Sequence, residues 1–412
     1  NHAVADEIEP GSTFKVASIM VALEDGLCNP GDTVDVGNGI YMYKGARMTD
    51  HNMNKGGYGR ISVEQAIWYS SNIGVAKTIL KGYSDNPTKF VEGLYRIGMN
   101  ADLRLEIPGA GRAKIRRPDD TTRYWSKTTL PWMSFGYETQ VPPINTLAFF
   151  NAIANNGKMV RPMFTKEILH NGKTVQSFST EVINSSICSD HTLALIKDML
   201  LGVVEKGTGK AVHSDIVRIA GKTGTAQITD ARSREGRYYL GSMVAYFPAD
   251  APRYTVLTTI HTKRQAGKSY YGGPLSGPVV KKVVTYLYNR EHDWDLSPEN
   301  SGEKHYPRRI KGGDIAQIRR IADKFSPRTS FEDRKGWGTV RIDSLSNVTI
   351  STLAQDDQTM PNVVGMGLKD ALFLLESRGL RVSFSGRGSV RYQSIAPGTR
   401  ISRGGAVTIT LK

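Results

Sequence analysis

A mixed α/β (α+β) fold, an antiparallel sheet with a helical insertion, is predicted for most of this 412-residue chain. Helical periodicity dominates the first half, strand-like alternation replaces it after about residue 217, and an apolar helical face at 274–288 closes the region. A smaller α+β unit with its own strand–helix–strand order follows from Met360 to Lys412.

The first element is a helix over Phe14–Leu27, with Phe14, Val16, Ile19, Met20 and Leu23 on helical spacing. Pro10-Gly11 precedes it and Gly26 ends it. From Asn29 to Leu200 the pattern reads as mainly helical, broken by turn-rich runs such as Asn29-Pro30-Gly31-Asp32 and Lys81–Pro87. Strands are expected at Val217–Gly221, Tyr238–Phe247 and Tyr254–His261. Val279, Val280, Val283, Val284 and Leu287 then form one helical stripe. Residues 292–358 are polar and basic and read as a linker or small connecting subdomain, with one short helix at Asp314–Phe325. The last unit starts strand-like, continues as a helix over Leu368–Arg378 ended by Gly379, and finishes with strands around Val382 and Val407–Leu411. The domains expected are therefore 1–291, 292–358 and 359–412.

Hydrophobic residues at 39% and charged residues at 23% are a globular balance. No apolar run approaches the roughly 18 residues that cross a bilayer, and the first residues do not resemble a signal peptide. The net charge of +15 raises the question of nucleic acid. The basic residues are spread along the whole chain without an aromatic-basic platform, so no nucleic-acid partner is expected; an anionic membrane or cell-wall polymer suits the charge equally. The two cysteines, Cys28 and Cys188, exclude a disulfide framework and a cysteine zinc site, and no His-Glu-x-x-His pair occurs.

Three short motifs carry chemistry, each with a bland alternative. Ser12-Thr13-Phe14-Lys15 puts a hydroxyl at a helix start and an ammonium one turn on, on the same face. A partly buried lysine there can be neutral and take the serine proton. Equally, serine is a common N-cap, and Ser301–Lys304 repeats the spacing where no function is assigned. Ser70-Ser71-Asn72 supplies a hydroxyl for proton relay and an amide for a substrate backbone. Flanking apolar stretches favour it over Ser84-Asp85-Asn86, which lies in a polar turn. Lys222-Thr223-Gly224-Thr225 puts a cation, two hydroxyls and a glycine along one strand, suited to a carboxylate and a close substrate backbone. A phosphate loop is excluded because the glycine it needs is Ile216. Ser-x-x-Lys, Ser-x-Asn and Lys-Thr-Gly in this order form the set of penicillin-binding proteins and class A β-lactamases.

The flanking residues resemble class B penicillin-binding proteins. The similarity is carried by Glu9–Lys15, Gly136–Pro142, Ala152–Gly157 with Arg161-Pro162, Gly207–Gly209 and Ala220–Gln227. Met360–Lys412, with Pro397-Gly398 and Gly404-Gly405, is similar to a PASTA domain. The resemblance implies the penicillin-binding-protein and serine β-lactamase-like fold, and a D,D-transpeptidase that cross-links peptidoglycan stem peptides. It implies catalytic roles for Ser12 as nucleophile, Lys15 as base, and Ser70 and Lys222 in passing a proton to the leaving D-alanine. Asn72, Thr223, Gly224 and Thr225 would bind substrate, and the N–H groups of Ser12 and Thr225 would form the oxyanion hole. No metal or organic cofactor is implied. The partners implied are stem peptides, β-lactam antibiotics as covalent inhibitors, a glycosyltransferase with divisome or elongasome proteins, and a membrane reached through a segment outside this chain, on its extracytoplasmic (periplasmic) face. Family members carry several dozen residues of this domain before the serine motif; with the serine at position 12, the first strands of the sheet are expected to be missing. A β-lactamase is disfavoured because no Glu-x-x-Leu-Asn loop follows Ser70. A D,D-carboxypeptidase and a non-enzymatic cell-wall sensor or scaffold stay as alternatives.

Overall fold

Between Lys15 and Glu24 nine of ten residues are buried, so the first long helix is a core element rather than an amphipathic surface one. The computed structural model describes residues 1–122, 124–228, 238–291, 312–325, 329–331, 336–342, 348–352 and 358–412. The chain divides into two compact units, Asn1–Trp294 and Asp295–Lys412.

In the first unit the helices that matter are α1 (Lys15–Glu24), α2 (Val63–Trp68), α3 (Asn72–Tyr83), α4 (Pro143–Ala154), α5 (Asp190–Glu205) and α6 (Gly272–Arg290). The sheet consists of β1 (Ala220–Ile228), β2 (Tyr238–Phe247) and β3 (Tyr254–Lys263), antiparallel in the order β1-β2-β3. The registers Gly224↔Ser242 and Ser242↔Thr259 hold β2 at the centre and leave one edge of β1 unpaired in the sheet. Successive side chains of β2 go to opposite faces. Met243, Ala245 and Phe247 pack on Val280 and Val284 of α6, while Val244 and Tyr246 enter the main core with Phe149, Leu200 and Val203. Each buried valine of α6 contributes about 1.5–3 kcal/mol of apolar burial. Both faces are thus covered, which is why β2 reads as a nearly continuous apolar run.

The main corrections to the sequence reading lie between Asn29 and Leu200. Strands occupy Thr33–Gly37, Ile40–Tyr43, Ala46–Thr49, Gly59–Ser62, Glu167–His170 and Lys173–Ser177 among the helices. The Glu167–His170 and Lys173–Ser177 strands form a ribbon exposed throughout, so no apolar alternation marks it. Its turn, Asn171-Gly172, has both residues at positive φ, as a tight hairpin requires. The first helix is also shorter than expected. Gly11–Thr13 is a 3-10 turn, so Ser12 precedes the α-helix instead of opening it. The decoy Ser84 ends α3, and Asn86 caps the next helix, Pro87–Arg96. Ser301–Lys304 lies outside the described residues.

In the second unit Arg381–Ser385, Ala406–Leu411 and Val390–Gln393 form a three-stranded sheet, of which the third strand is absent from the sequence reading. Helix Leu368–Glu376 buries Ala371, Leu374 and Leu375 against Val407, Ile409 and Leu411, and Gly379 past its end has φ of 77°. In the described parts of the polar stretch before it, four short strands between Gly313 and Thr352 form a sheet beside helix Ile315–Phe325. Trp337 of that sheet joins the hydrophobic cluster of the C-terminal unit and stacks on Phe373. Among the described residues no helix is long and apolar enough to cross a membrane.

Candidate active site

Two buried lysines meet on one serine. Lys15 Nζ donates to Ser70 O at 2.5 Å and to Ser70 Oγ at 3.2 Å; Lys222 Nζ donates to Ser70 Oγ at 2.9 Å and to Thr223 O at 3.0 Å. Both lysines are 0% exposed. The three motifs, far apart in sequence, therefore converge where α1, the α2–α3 junction and β1 come together. Two ammonium groups this close, away from water, cannot both keep their charge cheaply. Burial lowers the Lys15 pKa to about 7, against the pull of the Asp50 carboxylate. Burial, with Lys15 adding to it, holds Lys222 well below the ordinary lysine value.

Ser12 sits beside this pair without being a hydrogen-bond partner of either lysine. Its turn is clamped against β1. Gly11 has φ of 55°, and a Cβ there would lie 2.8 Å from Thr225 O, so glycine is required for this approach. Gly11 N also donates to Gly136 O at 3.2 Å. Gly224 faces the same turn, where a Cβ would press on Thr13 Cγ2 at 3.0 Å.

Ser70 owes its position to a helix ending. Ser71 N bonds to Ala66 O at 2.9 Å and Ser70 N to Ile67 O at 3.2 Å, the paired bonds of a Schellman ending for α2. Ser70 takes the left-handed position usually held by glycine, with φ of 58°. A side chain there costs on the order of 1 kcal/mol, and the strain aims the hydroxyl at both lysines. The cap of α3 is Ser71, not Ser70: its Oγ accepts from Gly74 N at 2.8 Å.

Asp50, missed by the sequence reading, organises this junction. The residue is 1% exposed, and its carboxylate accepts from Ser71 Oγ at 2.6 Å, Asn72 N at 2.6 Å and Ile73 N at 3.1 Å. It lies at the N-terminal end of α3, where a negative charge is favoured. Asn72 is held too: its Nδ2 donates to Thr49 O at 2.8 Å, which leaves its Oδ1 for a ligand. Asp50→Ala would strand a buried hydroxyl and two N–H groups. A loss of about 2–4 kcal/mol is expected in urea unfolding, with Asp50→Asn losing less.

The other side of the cleft is β1 and the start of α6. Thr223 Oγ1 lies 2.6 Å from Thr208 Oγ1, and Thr225 Oγ1 accepts from Gly272 N at 3.1 Å. These hydroxyls therefore stand at the N-terminal end of a 19-residue helix, a favourable place for an anion. Gln227 N donates to Tyr137 Oη at 3.3 Å across the free edge of β1. By the two-residue period of a strand, the N–H of Thr225 faces that same edge, towards the Gly11–Thr13 turn. His51 and Tyr271 meet edge-on from the two sides of the site, with ring centroids 6.2 Å apart. Burial lowers the His51 pKa, and the Lys15 charge adds to that against the opposing pull of Asp50.

The model of the penicillin binding protein transpeptidase domain matches residues 1–285, and that of the PASTA domain matches residues 358–412. The chain belongs to the penicillin-binding protein transpeptidase family. It is 28% identical over 294 residues to the probable peptidoglycan D,D-transpeptidase PenA of Neisseria flavescens, covering 70% of this chain and 66% of that protein. It is 26% identical over 418 residues to stage V sporulation protein D of Bacillus subtilis, covering 100% of this chain and 55% of that one. Among solved structures it superposes on the transpeptidase domain of Burkholderia pseudomallei penicillin-binding protein 3 with a TM-score of 0.59 and 25% identity, covering 73% of this chain and 84% of that domain. The chain thus spans 66% and 55% of the length of these two curated relatives.

Proposed function

We propose that this chain carries the catalytic domain of a serine D,D-transpeptidase that cross-links peptidoglycan stem peptides. The observation that carries the reading is the meeting of Lys15, Lys222 and Ser70 beside Ser12, at the free edge of β1. Ser12 Oγ attacks the carbonyl between two terminal D-alanines while its proton passes to neutral Lys15. The N–H groups of Ser12 and Thr225 bind the oxyanion that forms. The C–N bond then breaks, and Ser70, between the two lysines, relays a proton to the departing D-alanine. Thr223 and Thr225, with Lys222 and the α6 N-terminus, hold the terminal carboxylate. Gly224 lets the donor backbone lie against β1, and Asn72 Oδ1 accepts from that backbone. In the second half an amine of a neighbouring stem attacks the acyl-enzyme, an amide forms, and Ser12 takes back its proton.

β-Lactams acylate Ser12 by opening their ring, so no leaving group departs. In this reading the protein works at the extracytoplasmic face of the cytoplasmic membrane, with a glycosyltransferase and division or elongation proteins supplying strands. Incubation with an N-acyl-D-Ala-D-Ala donor and a D-amino acid acceptor tests it. Release of D-alanine with formation of the exchanged peptide is expected. Release with only the hydrolysed acid would make it a carboxypeptidase, and no acylation of the folded protein would make it a binding scaffold.

A further inference from the structure

A serine held at φ of 58° needs a firm anchor nearby, and the one next to Ser70 is Trp68, the last residue of α2. Its carbonyl accepts from Thr208 N at 3.0 Å, and its indole lies against the end of α5. Two glycines make this fit possible. A Cβ at Gly207 would overlap Trp68 O, and a Cβ at Gly202 would overlap the indole Nε1 and Cε2. Neither glycine has a positive φ, so the close approach of Trp68, and not backbone freedom, is what requires them. Lys206 Nζ lies 4.6 Å from the centroid of the ring. The indole N–H is buried without a hydrogen-bond partner among the described residues, so the ring is held by shape and by that cation.

The segment that receives Trp68 is braced in turn. Gly209 N donates to Val203 O of α5 at 2.8 Å, and Thr208 Oγ1 lies 2.6 Å from Thr223 Oγ1 of β1. Thr208 O rests on Gly273 of α6, where a Cβ would come within 2.7 Å. Residues 207–209 thus form a strut from β1 and α6 to the end of the helix that presents Ser70. Ser70 Oγ meets Lys222 Nζ at 2.9 Å across the span that the strut sets. A misplacement of about 1 Å in such a contact can cost about a hundredfold in rate.

We propose that Trp68, seated on Gly202 and Gly207, is a positioning residue that sets Ser70 for proton delivery to the leaving group. The inference rests on the acyl-transfer reading above. Trp68 acts through the turn that it anchors, and Ser70 handles the proton.

The chemistry of the leaving group isolates that role. An amide C–N bond breaks as the nitrogen takes the proton that Ser12 gave up and Ser70 delivers. A thioester C–S bond breaks to a thiolate, which takes none. N-benzoyl-D-alanyl-D-alanine and N-benzoyl-D-alanyl thioglycolate carry the same acyl group and a carboxylate at the same spacing. The readout, on the full chain, is the rate of leaving-group release in the first turnover with each donor.

Gly207→Ala, which must displace Trp68 O, should slow the amide about a hundredfold and the thioester less than about threefold. Gly202→Ala presses on the ring instead and should show the same selective defect. Adding Trp68→Phe, which removes the crowded part of the indole, should bring the amide back to within about fivefold of the wild type. Equal slowing of both donors, or slowing of neither, overturns the proposal. So does a Gly202→Ala defect that Trp68→Phe leaves unchanged. If Gly207→Ala does not fold, the Gly202→Ala pair decides alone, because its methyl meets a side chain that can shift. A wild type that releases neither leaving group and takes no penicillin adduct would instead strike the acyl-transfer reading itself.

Discussion

Replacing Lys15 with methionine should slow acylation by benzylpenicillin about a thousandfold, while the protein stays folded. General-base assistance is worth roughly 10²–10⁴ in rate, and methionine keeps most of the lysine's volume without a nitrogen. The wild-type rate should rise with pH through about 7, because only neutral Lys15 accepts a proton and burial holds its pKa there. In Lys15→Met that inflection should vanish. Stability separates this from simple damage. The folded pKa of Lys15 lies below its unfolded value, so the unfolded chain binds more protons between about pH 7 and 10. Its burial therefore opposes folding below that window, and the opposition fades as pH rises through it. Lys15→Met removes the opposition and should unfold at no lower urea concentration than the wild type at pH 7. A variant that kept its acylation rate, or a wild-type rate flat between pH 6 and 8, would place the base elsewhere.

Much of this site is legible in the sequence, because its chemistry is written in side chains that keep their spacing. Ser12 with Lys15, Ser70 with Asn72, and Lys222 with Thr225 each occupy one short segment, so local periodicity suffices to place them. What the sequence does not display is how the segments are braced. Asp50 acts 21 residues before Ser71 through three hydrogen bonds that only the folded chain forms. The left-handed Ser70 is hidden because a strained serine looks like any other serine, and Ser71 next to it satisfies the ordinary capping pattern. Thr208 and Gly272 enter the site through tertiary contact with Thr223 and Thr225.

The fold divides along similar lines. β2 and β3 and helix α6 are readable because burial imposes their periods. The exposed ribbon over Glu167–Ser177 has no buried face to impose one, and its only signal is the Asn171-Gly172 turn. The four strands between Gly313 and Thr352 are short and polar, which makes that stretch read as a connector.

In the proposed reaction every later step needs the oxygen of Ser12 as the acyl carrier. The turn that holds it is clamped to β1 by Gly11 and Gly224, next to Lys15, Lys222 and Ser70. Removing that oxygen leaves both lysines and the β1 edge in place, so Ser12→Ala should fold normally and lose acylation entirely. The direct measurement is intact-protein mass after incubation with benzylpenicillin, on the wild type and on Ser12→Ala. One stable adduct per wild-type chain and none on the variant is the predicted result. An adduct of equal stoichiometry on Ser12→Ala would contradict it.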